Sequence, residues 1–431
     1  MLFQNRELWE FPRLSERGSL KIGILLWDLS VQGGCQRQVA ELARQLKVLG
    51  EEVRVYSAYY ADEVYPDILE GIPVRPLFRK HNPVRISGAR FLGLPVSSIR
   101  LTLKEFLSSQ KIADLLDDDI DVLNVHEMFV IIPAAKWKRR TGKPVLWMMN
   151  EFPGALVGSS FFRWGVLNKI FDHVNGINWV GKWYEGAIRR FDRIAVLDDQ
   201  ISRKFLVEKL GIDPVTIRSG LDLNKFIFRA REPYRGDRPV GILSNAILFP
   251  HRRLEDIVDA LGVLNREGVN FVWWHIGLTQ RHPEYANLIR EKIEQEGIAD
   301  KTQFLGTVSD GDLVRMYQES DIFLFPSDPQ TWGLVVFESM ACGTPVIVSR
   351  GAGASEVLTD GVNALLVDPR NPPQIAAAIR RLVNSPADWE RLSRAGRSFV
   401  ESNITWEIYA RKMRKEMESI CARYPTVGPR A

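Results

Sequence analysis

The chain has 431 residues, a length that exceeds one ordinary hydrophobic core and therefore indicates two or more domains. Its residues are 45% hydrophobic and 26% charged, as in a soluble globular protein, and a formal net charge of +4 is too small for this length to indicate a nucleic-acid partner. The three cysteines lie far apart without a C-x-x-C pair, which argues against a disulfide framework or a zinc site and is typical of a reducing compartment.

The N-terminal residues, MLFQNRELWEFPRLSERGSL, contain no continuous apolar segment, so we do not expect a secretory signal. No segment of the sequence approaches the ~18 apolar residues that a membrane-spanning helix needs. Together with the cysteine usage, these features predict a cytoplasmic protein.

The first half of the chain predicts an alternation of strands and helices. KIGILLWDL, at 21–29, is a short apolar run typical of a strand that is buried on both faces. A glycine pair, Gly33 and Gly34, leads into a helical apolar pattern that Gly50 closes, and EEVRVYSA then predicts a second strand. This β-loop-α-β unit predicts a right-handed crossover. Further strands are predicted at 121–126, 143–149 and 193–197.

Residues 152–192 differ from the rest of the chain because aromatic and basic residues are dense there. The interpretation that we favour is a helical, partly buried insertion. The alternative is a peripheral contact with the inner face of a membrane, in which the aromatic side chains lie at the headgroups and the bases meet anionic lipid.

The polar, turn-rich segment RAREPYRGDR, at 229–238, predicts a linker between two domains, 1–228 and 229–401. A second series of strands alternating with helices follows it, which predicts a parallel sheet with helices on both faces. The fold class is therefore α/β, with two doubly wound domains in tandem. The strands of the second series are predicted at 239–246, 269–277, 302–308, 321–327, 344–350 and 363–369.

The C-terminal segment 405–424 carries its apolar residues on one helical stripe. Such a stripe has to be buried, and one place for it is across the first domain.

Ligands of open parallel α/β sheets bind beyond the carboxyl ends of the strands, so the loops that follow strands are the candidate sites. In SVQGG, the glycines around Gly34 allow a close approach to a ligand, and the helix N-terminus favours an anion or a polar sugar; a tight β-α turn explains the same residues equally well. His126 ends the strand DVLNVH, where it could bind a substrate hydroxyl or carbonyl. Taken alone, a histidine with satisfied hydrogen bonds is the better interpretation.

Two further loops offer charged groups. In PHRR, Arg252 and Arg253 are predicted at the start of a helix, and guanidinium groups bind phosphate. A positive charge at a helix N-terminus opposes the helix dipole, which indicates an anion nearby. The alternative is a pair of solvated charges, which are common at helix starts. After the strand DIFLFPS, a helix is predicted to begin near Gly333, with free N–H groups at 333–335. Glu338 follows among apolar neighbours, where a carboxylate needs a partner and could accept hydrogen bonds from a ribose diol. The alternative is an exposed helix glutamate.

At this point the chain resembles a known family, the retaining glycosyltransferases of the GT-B fold known as family 4, or group 1. WGLVVFESMACGTPVIVS matches the core motif of the family, and the similarity extends over nearly all of 20–420. The supporting segments follow in the order of the family: GGCQRQVAELARQL, VHE at 125–127, IRSGLDLNKF at 217–226, LGTVSDGDLVRMYQESDIFLFPS and GVNALLVDP.

The resemblance implies two Rossmann-like domains that face each other across a cleft, with a C-terminal helix, 402–431, returning to the N-terminal domain. It implies transfer of a hexose-type sugar from a nucleotide-diphospho-sugar donor to a hydroxyl acceptor, without a cofactor or an obligatory metal. The acceptor binds mainly to the first domain and the donor mainly to the second. The implied donor-site residues are Gly34, Arg252, Arg253, Gly333, Leu334, Val335 and Glu338, with Glu338 at the ribose, the arginines at the diphosphate and His126 at the donor sugar.

The sequence departs from the family pattern at three places. The first acid of the E-x7-E motif is replaced by Gln330, which we list with His126 as a catalytic candidate. The family's Gly-Arg is missing from SNAILFPHRR, where Arg252 or Arg253 occupies the position of the phosphate-binding Lys, and HIGLTQRH lacks the usual glycine-rich turn. Two other hypotheses therefore stay open: a nucleotide-sugar-binding protein with weak or no transferase activity, and a GT-B nucleotide-sugar epimerase.

Overall fold

The computed structural model describes residues 19–79, 90–91, 94–95, 108–150 and 179–424, and all statements below refer to these residues. Two parallel sheets with helices packed against them organise this part of the chain. The central strands of both sheets are almost wholly buried, which explains why the sequence shows short continuous apolar runs instead of an alternating pattern.

The first sheet has seven strands in the order β3-β2-β1-β4-β5-β6-β7, all parallel. In its register, Ile22 of β1 lies between Val53 of β2 and Val122 of β4. The strands are β1 Lys21–Leu29, β2 Glu52–Tyr60, β3 Val74–Arg79, β4 Val122–His126, β5 Val145–Met149, β6 Arg193–Val196 and β7 Val215–Thr216. The helices of this half are α1 Gly34–Val48, α2 Ile131–Thr141 and α3 Trp179–Ile188, besides a helical segment at 108–115, a 3-10 turn at Met128–Val130 and π-helical turns at Asp199–Arg203 and Leu206–Leu210. Arg90–Phe91 and Leu94–Pro95 form a separate antiparallel pair.

The second sheet has six parallel strands in the order β10-β9-β8-β11-β12-β13. They are β8 Val240–Asn245, β9 Phe271–Ile276, β10 Thr302–Gly306, β11 Ile322–Phe325, β12 Val346–Ser349 and β13 Leu365–Val367. The helices are α4 Leu254–Arg266, α5 Pro283–Gln295, α6 Asp310–Glu319, α7 Leu334–Cys342, α8 Pro372–Asn384, α9 Pro386–Asn403 and α10 Trp406–Cys421. Short 3-10 turns lie at Pro250–Arg252, Ala299–Lys301 and Gly353–Val357.

Every strand predicted from the sequence is present, with ends that differ by no more than two residues. Besides the separate pair Arg90–Phe91 and Leu94–Pro95, two strands of the first sheet were not predicted, β3 and β7. Both lie at the edges of the first sheet, β3 contains Pro76, and β7 has only two residues. Edge strands tolerate proline and polar residues, so neither β3 nor the very short β7 leaves a continuous apolar run in the sequence.

The C-terminal helix α10 packs against α1 of the first domain, as the apolar stripe and the resemblance predicted. Two ion pairs flank the packed surface: Arg414 lies 2.5 Å from the buried Glu51, and Arg193 lies 2.6 Å from Glu416. The stripe residues Trp406, Tyr409, Met413, Met417 and Ile420 are all buried. Residues 425–431 of the predicted helix 402–431 lie outside the described residues.

The chain crosses between the two sheets twice, at adjacent points. The backbone N–H of Leu221 donates to the carbonyl of Ile404, and a Cβ on Gly220 would lie 2.1 Å from the carbonyl carbon of Thr405, so this close approach requires glycine. Within the predicted linker 229–238, Arg231 and Arg238 pair with the fully buried Asp321 beside β11. The linker is therefore fixed to the second sheet; the boundary at 228/229 stays a prediction.

Among the described helices, none has both the length and the apolar character needed to cross a membrane. Of the aromatic and basic segment 152–192, residues 152–178 lie outside the described residues. In α3, Lys182 and Trp183 are exposed and Tyr184 is buried. Contact of this segment with a membrane stays a prediction.

Candidate active site

The strand order reverses direction at one point in each sheet, between β1 and β4 and between β8 and β11. In open parallel sheets, the crevice beyond the carboxyl ends of the strands at such a point is where ligands bind. In the second sheet, the loops at this point are 246–253, after β8, and 326–333, after β11. Arg252 lies on one of them and Gln330 on the other, and a hydrogen bond of 2.5 Å from Arg252 Nη1 to Gln330 Oε1 joins the two loops.

Arg252 is a largely buried guanidinium group with no ion-pair partner among the described residues. Its Nε is buried and has no hydrogen-bond partner there either. Burial lowers the pKa of Arg252 to about 10, so the group remains charged at neutral pH. A buried charge without a counter-charge costs free energy, which an incoming anion recovers.

Arg253, the neighbouring residue, is already neutralised. It occupies the N-cap position of α4 with a left-handed backbone, φ 56°. Its guanidinium group lies 2.5 Å from Glu255 and 2.7 Å from Asp256, two carboxylates of the first turn of the same helix. Of the two arginines that the sequence offered as anion ligands, Arg252 is therefore the one with an uncompensated charge.

The backbone of Gln330 is held by the loop that follows β12. Its N–H donates to the carbonyl of Gly351 at 3.3 Å, and its carbonyl accepts from the N–H of Gly353 at 2.7 Å. A Cβ on Gly353 would lie 2.0 Å from the carbonyl oxygen of Thr331, so the two loops lie as close as their backbones allow. This support fixes the position from which the amide of Gln330 reaches Arg252.

The helix α7 begins where the sequence predicted, at Leu334, with Gly333 as its N-cap residue. Gly333 has φ +127°, and a Cβ there would lie 2.7 Å from the ring of Phe325, so both its conformation and its surroundings require glycine. No side chain caps this end of the helix and no acid lies in its first turn. The N-terminal N–H groups at Leu334 and Val335 thus form the positive end of a helix beside the switch point.

Two polar groups of the loop 326–333 are also buried without a hydrogen-bond partner among the described residues. They are the hydroxyl of Ser327 and the indole N–H of Trp332. With the Nε of Arg252, three buried polar groups on the two switch-point loops are unsatisfied. Buried polar groups are almost always hydrogen-bonded, so a cluster of exceptions indicates a place where a ligand supplies the partners.

Glu338 lies one turn along α7 and has the partner that its apolar surroundings demand. The hydroxyl of Tyr317 donates to Glu338 Oε2 at 2.9 Å, and the amide of Asn245, at the end of β8, donates to the hydroxyl of Tyr317 at 3.0 Å. Burial raises the pKa of Glu338 above its ordinary value. Oε1 accepts no hydrogen bond from the described residues, and the side chain is partly exposed. Tyr317 therefore fixes the carboxylate through Oε2, and Oε1 is available to accept a hydrogen bond from a ligand.

His126, at the end of β4, is fully buried, and both of its ring nitrogens are engaged. Nε2 lies 2.8 Å from the side-chain oxygen of Asn124, and Nδ1 lies 3.2 Å from the amide nitrogen of Asn150. Burial lowers the pKa of His126 to about 3, so the ring is neutral. The structure thus has the satisfied histidine that the sequence alone favoured, and contact with a donor sugar requires an exchange of these partners.

The glycine loop of the first sheet leads into the uncapped N-terminus of α1, with no acid in its first turn. A Cβ on Gly34 would meet open space, whereas one on Gly33 would lie 2.4 Å from the side chain of Gln36. Glu127, which the sequence analysis passed over, fixes this loop from the neighbouring strand: its carboxylate accepts from the N–H of Trp27 at 2.7 Å and from the Gln36 amide at 3.1 Å.

Sequence reasoning also missed a contact that brings the first half of the chain to the candidate site. Glu356, in the turn after β12, has a largely buried side chain and accepts hydrogen bonds from the backbone N–H groups of Asp199 and Gln200. Arg218 donates to the same carboxylate at 2.6 Å. The sequence did show an acid, Glu356, in a loop that follows a predicted strand. Its partner Arg218 could not be identified, because it lies 138 positions away in the sequence.

No group of three or more histidine, cysteine, aspartate or glutamate side chains with metal-binding geometry occurs among the described residues. The site as described therefore consists of one buried guanidinium, one amide, one oriented carboxylate, a helix N-terminus and unsatisfied buried polar groups. Such a set can hold an anion beside a polyhydroxylated group.

Comparison with known proteins identifies the family and the fold of the chain. Residues 32–225 match the family described as Glycosyltransferase Family 4, and residues 227–399 match the family described as Glycosyl transferases group 1. The chain is 39% identical to a D-inositol 3-phosphate glycosyltransferase of Acidothermus cellulolyticus over 82% of this chain and 78% of that protein. It is 24% identical to the phosphatidyl-myo-inositol mannosyltransferase of Mycobacterium leprae over 86% of this chain and 90% of that protein.

Among solved structures, Anabaena HepE in complex with UDP and glucose superposes with a TM-score of 0.67 at 16% identity, covering 93% of this chain and 100% of HepE. A sucrose-phosphate synthase from Thermosynechococcus elongatus superposes with a TM-score of 0.66 at 18% identity, covering 94% and 100%. At these identities the similarity establishes the GT-B fold.

Proposed function

This chain belongs to the group 1 glycosyltransferases of family 4, and we propose that it transfers a hexose-type sugar from a nucleotide-diphospho-sugar to a hydroxyl acceptor with retention at the anomeric carbon. The observation that supports the donor class best is Arg252. Its buried, unpaired charge lies on the loops at the switch point of the second sheet, where a diphosphate would supply the missing counter-charge.

Glu338 supports the nucleotide part of the proposal. A carboxylate held by Tyr317 through one oxygen can accept hydrogen bonds from neighbouring hydroxyls through the other, as a ribose diol requires. The N-terminus of α7 lies between Gln330 and Glu338 along the chain, so the diphosphate or sugar would meet the N–H groups of Leu334 and Val335.

The reaction would place negative charge on the departing diphosphate and positive character on the sugar ring. Arg252 and the N-terminus of α7 stabilise the former because they are oriented before the reaction begins. We assign no carboxylate nucleophile to the chain. We propose instead that the bond from the anomeric carbon to the leaving phosphate breaks as the acceptor oxygen bonds to that carbon on the same face, and that the leaving phosphate takes up the proton of the acceptor hydroxyl. Closure of the two domains would exclude water and suppress hydrolysis.

The relatives guide the choice of substrates. HepE is described with UDP and glucose, which makes UDP-glucose the first donor to test. Two relatives are named for inositol 3-phosphate and phosphatidyl-myo-inositol, so cyclitol and lipid-linked hydroxyls are the first acceptors. A lipid-linked acceptor would bring residues 152–192 to the inner membrane face, and co-sedimentation with anionic vesicles tests that contact.

The alternative function, nucleotide-sugar binding with weak or no transfer, is favoured by one observation: the amide of Gln330 stands where the family motif has an acid. Binding of the donor without turnover across a panel of acceptors would support it. Conversion of the donor in the absence of any acceptor would instead support an epimerase.

The experiment that tests the proposal is a thermal-shift screen of UDP, GDP, ADP and TDP, because a ligand that binds only the native state raises the melting temperature. It is followed by isothermal titration and a transfer assay. We expect Glu338→Ala to weaken binding of the selected nucleotide, whereas Glu319→Ala, an exposed glutamate on α6, serves as the matched control. Wild-type affinity and transfer rate in Glu338→Ala would exclude the ribose role, and no melting shift with any nucleotide would exclude the donor class.

A further inference from the structure

The side-chain amide of Gln330 has one possible orientation, because its hydrogen-bond partner Arg252 can only donate. Arginine has N–H donors and no acceptor, so the atom of Gln330 that faces Arg252 Nη1 has to be the carbonyl oxygen, Oε1. The amide nitrogen, Nε2, then points to the other side, and it donates to none of the described residues. Position 330 therefore presents hydrogen-bond donors to a bound ligand.

An acid at this position, as in the family motif, would behave in the opposite way. A carboxylate is an acceptor only, and beside Arg252 it would form an ion pair that neutralises the guanidinium charge. The glutamine thus changes two properties of the site together. It offers donors where an acid offers acceptors, and it leaves one more positive charge.

The surroundings do not restore the missing negative charge. Asp328, two positions before Gln330, lies 3.1 Å from Arg370 and is used there. The carboxylates of Glu255 and Asp256 are taken by Arg253.

The remaining titratable groups beside Arg252 leave its charge unchanged. The pKa of His251 is lowered to about 4 by burial and by the charge of Arg252, so this ring is neutral. Glu338, further along α7, is engaged with Tyr317 and forms no ion pair with Arg252. No carboxylate among the described residues therefore neutralises Arg252, and its guanidinium group can serve both the diphosphate and the sugar of a bound donor.

We propose that the donor sugar carries a carboxylate, as in a nucleoside diphospho-uronic acid, and that Gln330 Nε2 and the guanidinium group of Arg252 select it. This inference rests on the proposed function, which places Gln330 against the donor sugar. A neutral hydroxyl can also accept a hydrogen bond from the amide, but hydrogen bonds to an ionised group are roughly twice as strong. We expect a uronic acid donor to bind about ten-fold to one hundred-fold more tightly than the neutral hexose of the same nucleotide.

The test uses the nucleotide selected by the thermal-shift screen. Isothermal titration compares two donors that differ only at the sugar carboxylate, such as UDP-glucose with UDP-glucuronate, or GDP-mannose with GDP-mannuronate. The wild-type chain should prefer the uronic acid. In Gln330→Glu the preference should reverse, because the new carboxylate pairs with Arg252 and repels the sugar carboxylate. Gln303→Glu, on the exposed side of the edge strand β10, adds the same charge and should leave the ratio of affinities unchanged.

The outcomes separate this inference from the proposed function. If the nucleoside diphosphate binds but the wild-type chain prefers the neutral donor, or binds both equally, the carboxylate proposal is overturned and the glycosyltransferase proposal stands. If no nucleoside diphosphate binds, both fail. If Gln330→Glu does not fold, Gln330→Leu replaces it; this variant removes the amide without adding charge, and an undiminished preference for the uronic acid would remove Gln330 from the selection.

Discussion

The replacement Arg252→Met should change stability and ligand binding in opposite directions. The charged guanidinium is buried against one neutral amide, and no carboxylate among the described residues pairs with it. Methionine keeps much of the side-chain length and removes the charge. We expect the variant to unfold at a higher temperature than the wild type and to bind a nucleoside diphosphate less tightly.

The magnitude follows from the burial of the group. The pKa of Arg252 falls from an ordinary value of 12.5 to about 10, and because one pKa unit corresponds to about 1.36 kcal/mol, the charged form costs about 3 kcal/mol. At pH 7 the group is charged in both the folded and the unfolded chain, so the full cost is present; it fades only above the folded-state pKa. Loss of the hydrogen bond to Gln330 offsets about 1 kcal/mol. The net gain is about 2 kcal/mol, or roughly 4–8 °C for a domain of this size.

Two measurements check these values: thermal unfolding of the ligand-free protein, and titration with the nucleoside diphosphate. The affinity of the variant for the nucleotide should be lower on the order of 10- to 100-fold, because charge-assisted hydrogen bonds are lost. Arg253→Met is the matched control. Its loss leaves Glu255 and Asp256 without their cationic partner, so this variant should be less stable than the wild type by about 1–3 kcal/mol. An Arg252→Met protein that is destabilised, and that binds the nucleotide as the wild type does, would refute the reasoning.

Three further predictions concern charge and packing. Burial raises the pKa of Glu338 above the ordinary value of 4.5, so the folded chain binds a proton there at higher pH than the unfolded chain. The free energy of unfolding should therefore rise as the pH is lowered towards 4.5, and urea unfolding should show that Glu338→Gln lacks this gain. Glu356→Ala removes the acceptor of two backbone N–H groups and leaves Arg218 with the more exposed Asp199, 3.0 Å away, so it should lower the free energy of unfolding by about 1–3 kcal/mol. An unchanged urea midpoint would mean that the Glu356 contact is absent in solution. Met413→Ala removes a fully buried side chain between α10 and α1 and should cost about 2–5 kcal/mol by the same assay, whereas the exposed Lys415→Ala should stay within about 0.5 kcal/mol of the wild type.

Much of the fold was visible in the sequence because the central strands are buried on both faces. Strands such as β1 and β8 appear as short apolar runs, and a helical period separates them from the next strand. The edge strands β3 and β7 gave no such signal, since β3 is partly exposed and contains Pro76, and β7 has only two residues. The C-terminal stripe was equally visible, and the only remaining question was which surface it covers; packing against α1 answered it.

The candidate site was predictable in its location but only partly in its chemistry. The loops after β8 and β11, and the start of α7 beside Gly333, were identified from spacing and glycine usage. For His126, the sequence favoured a ring with satisfied hydrogen bonds; what it did not identify is the partner Asn150, which follows another strand and reaches the ring only in the folded sheet. Likewise, the partner that Glu338 required was predicted, whereas its identity as Tyr317 depends on how α6 packs on α7.

The sequence by itself determined the alternation of strands and helices, the two parallel sheets, the helix start at Gly333 and the presence of two adjacent arginines. These features depend on periodicity and on residues that are neighbours in the chain. The tertiary structure alone decided which arginine has no carboxylate to compensate its charge. The carboxylates that pair with Arg253 are two and three positions away in the sequence, but the amide that contacts Arg252 is 78 positions away. The charge that remains at a site depends on long-range contacts of this kind, and these exist only once the two loops meet at the switch point of the sheet.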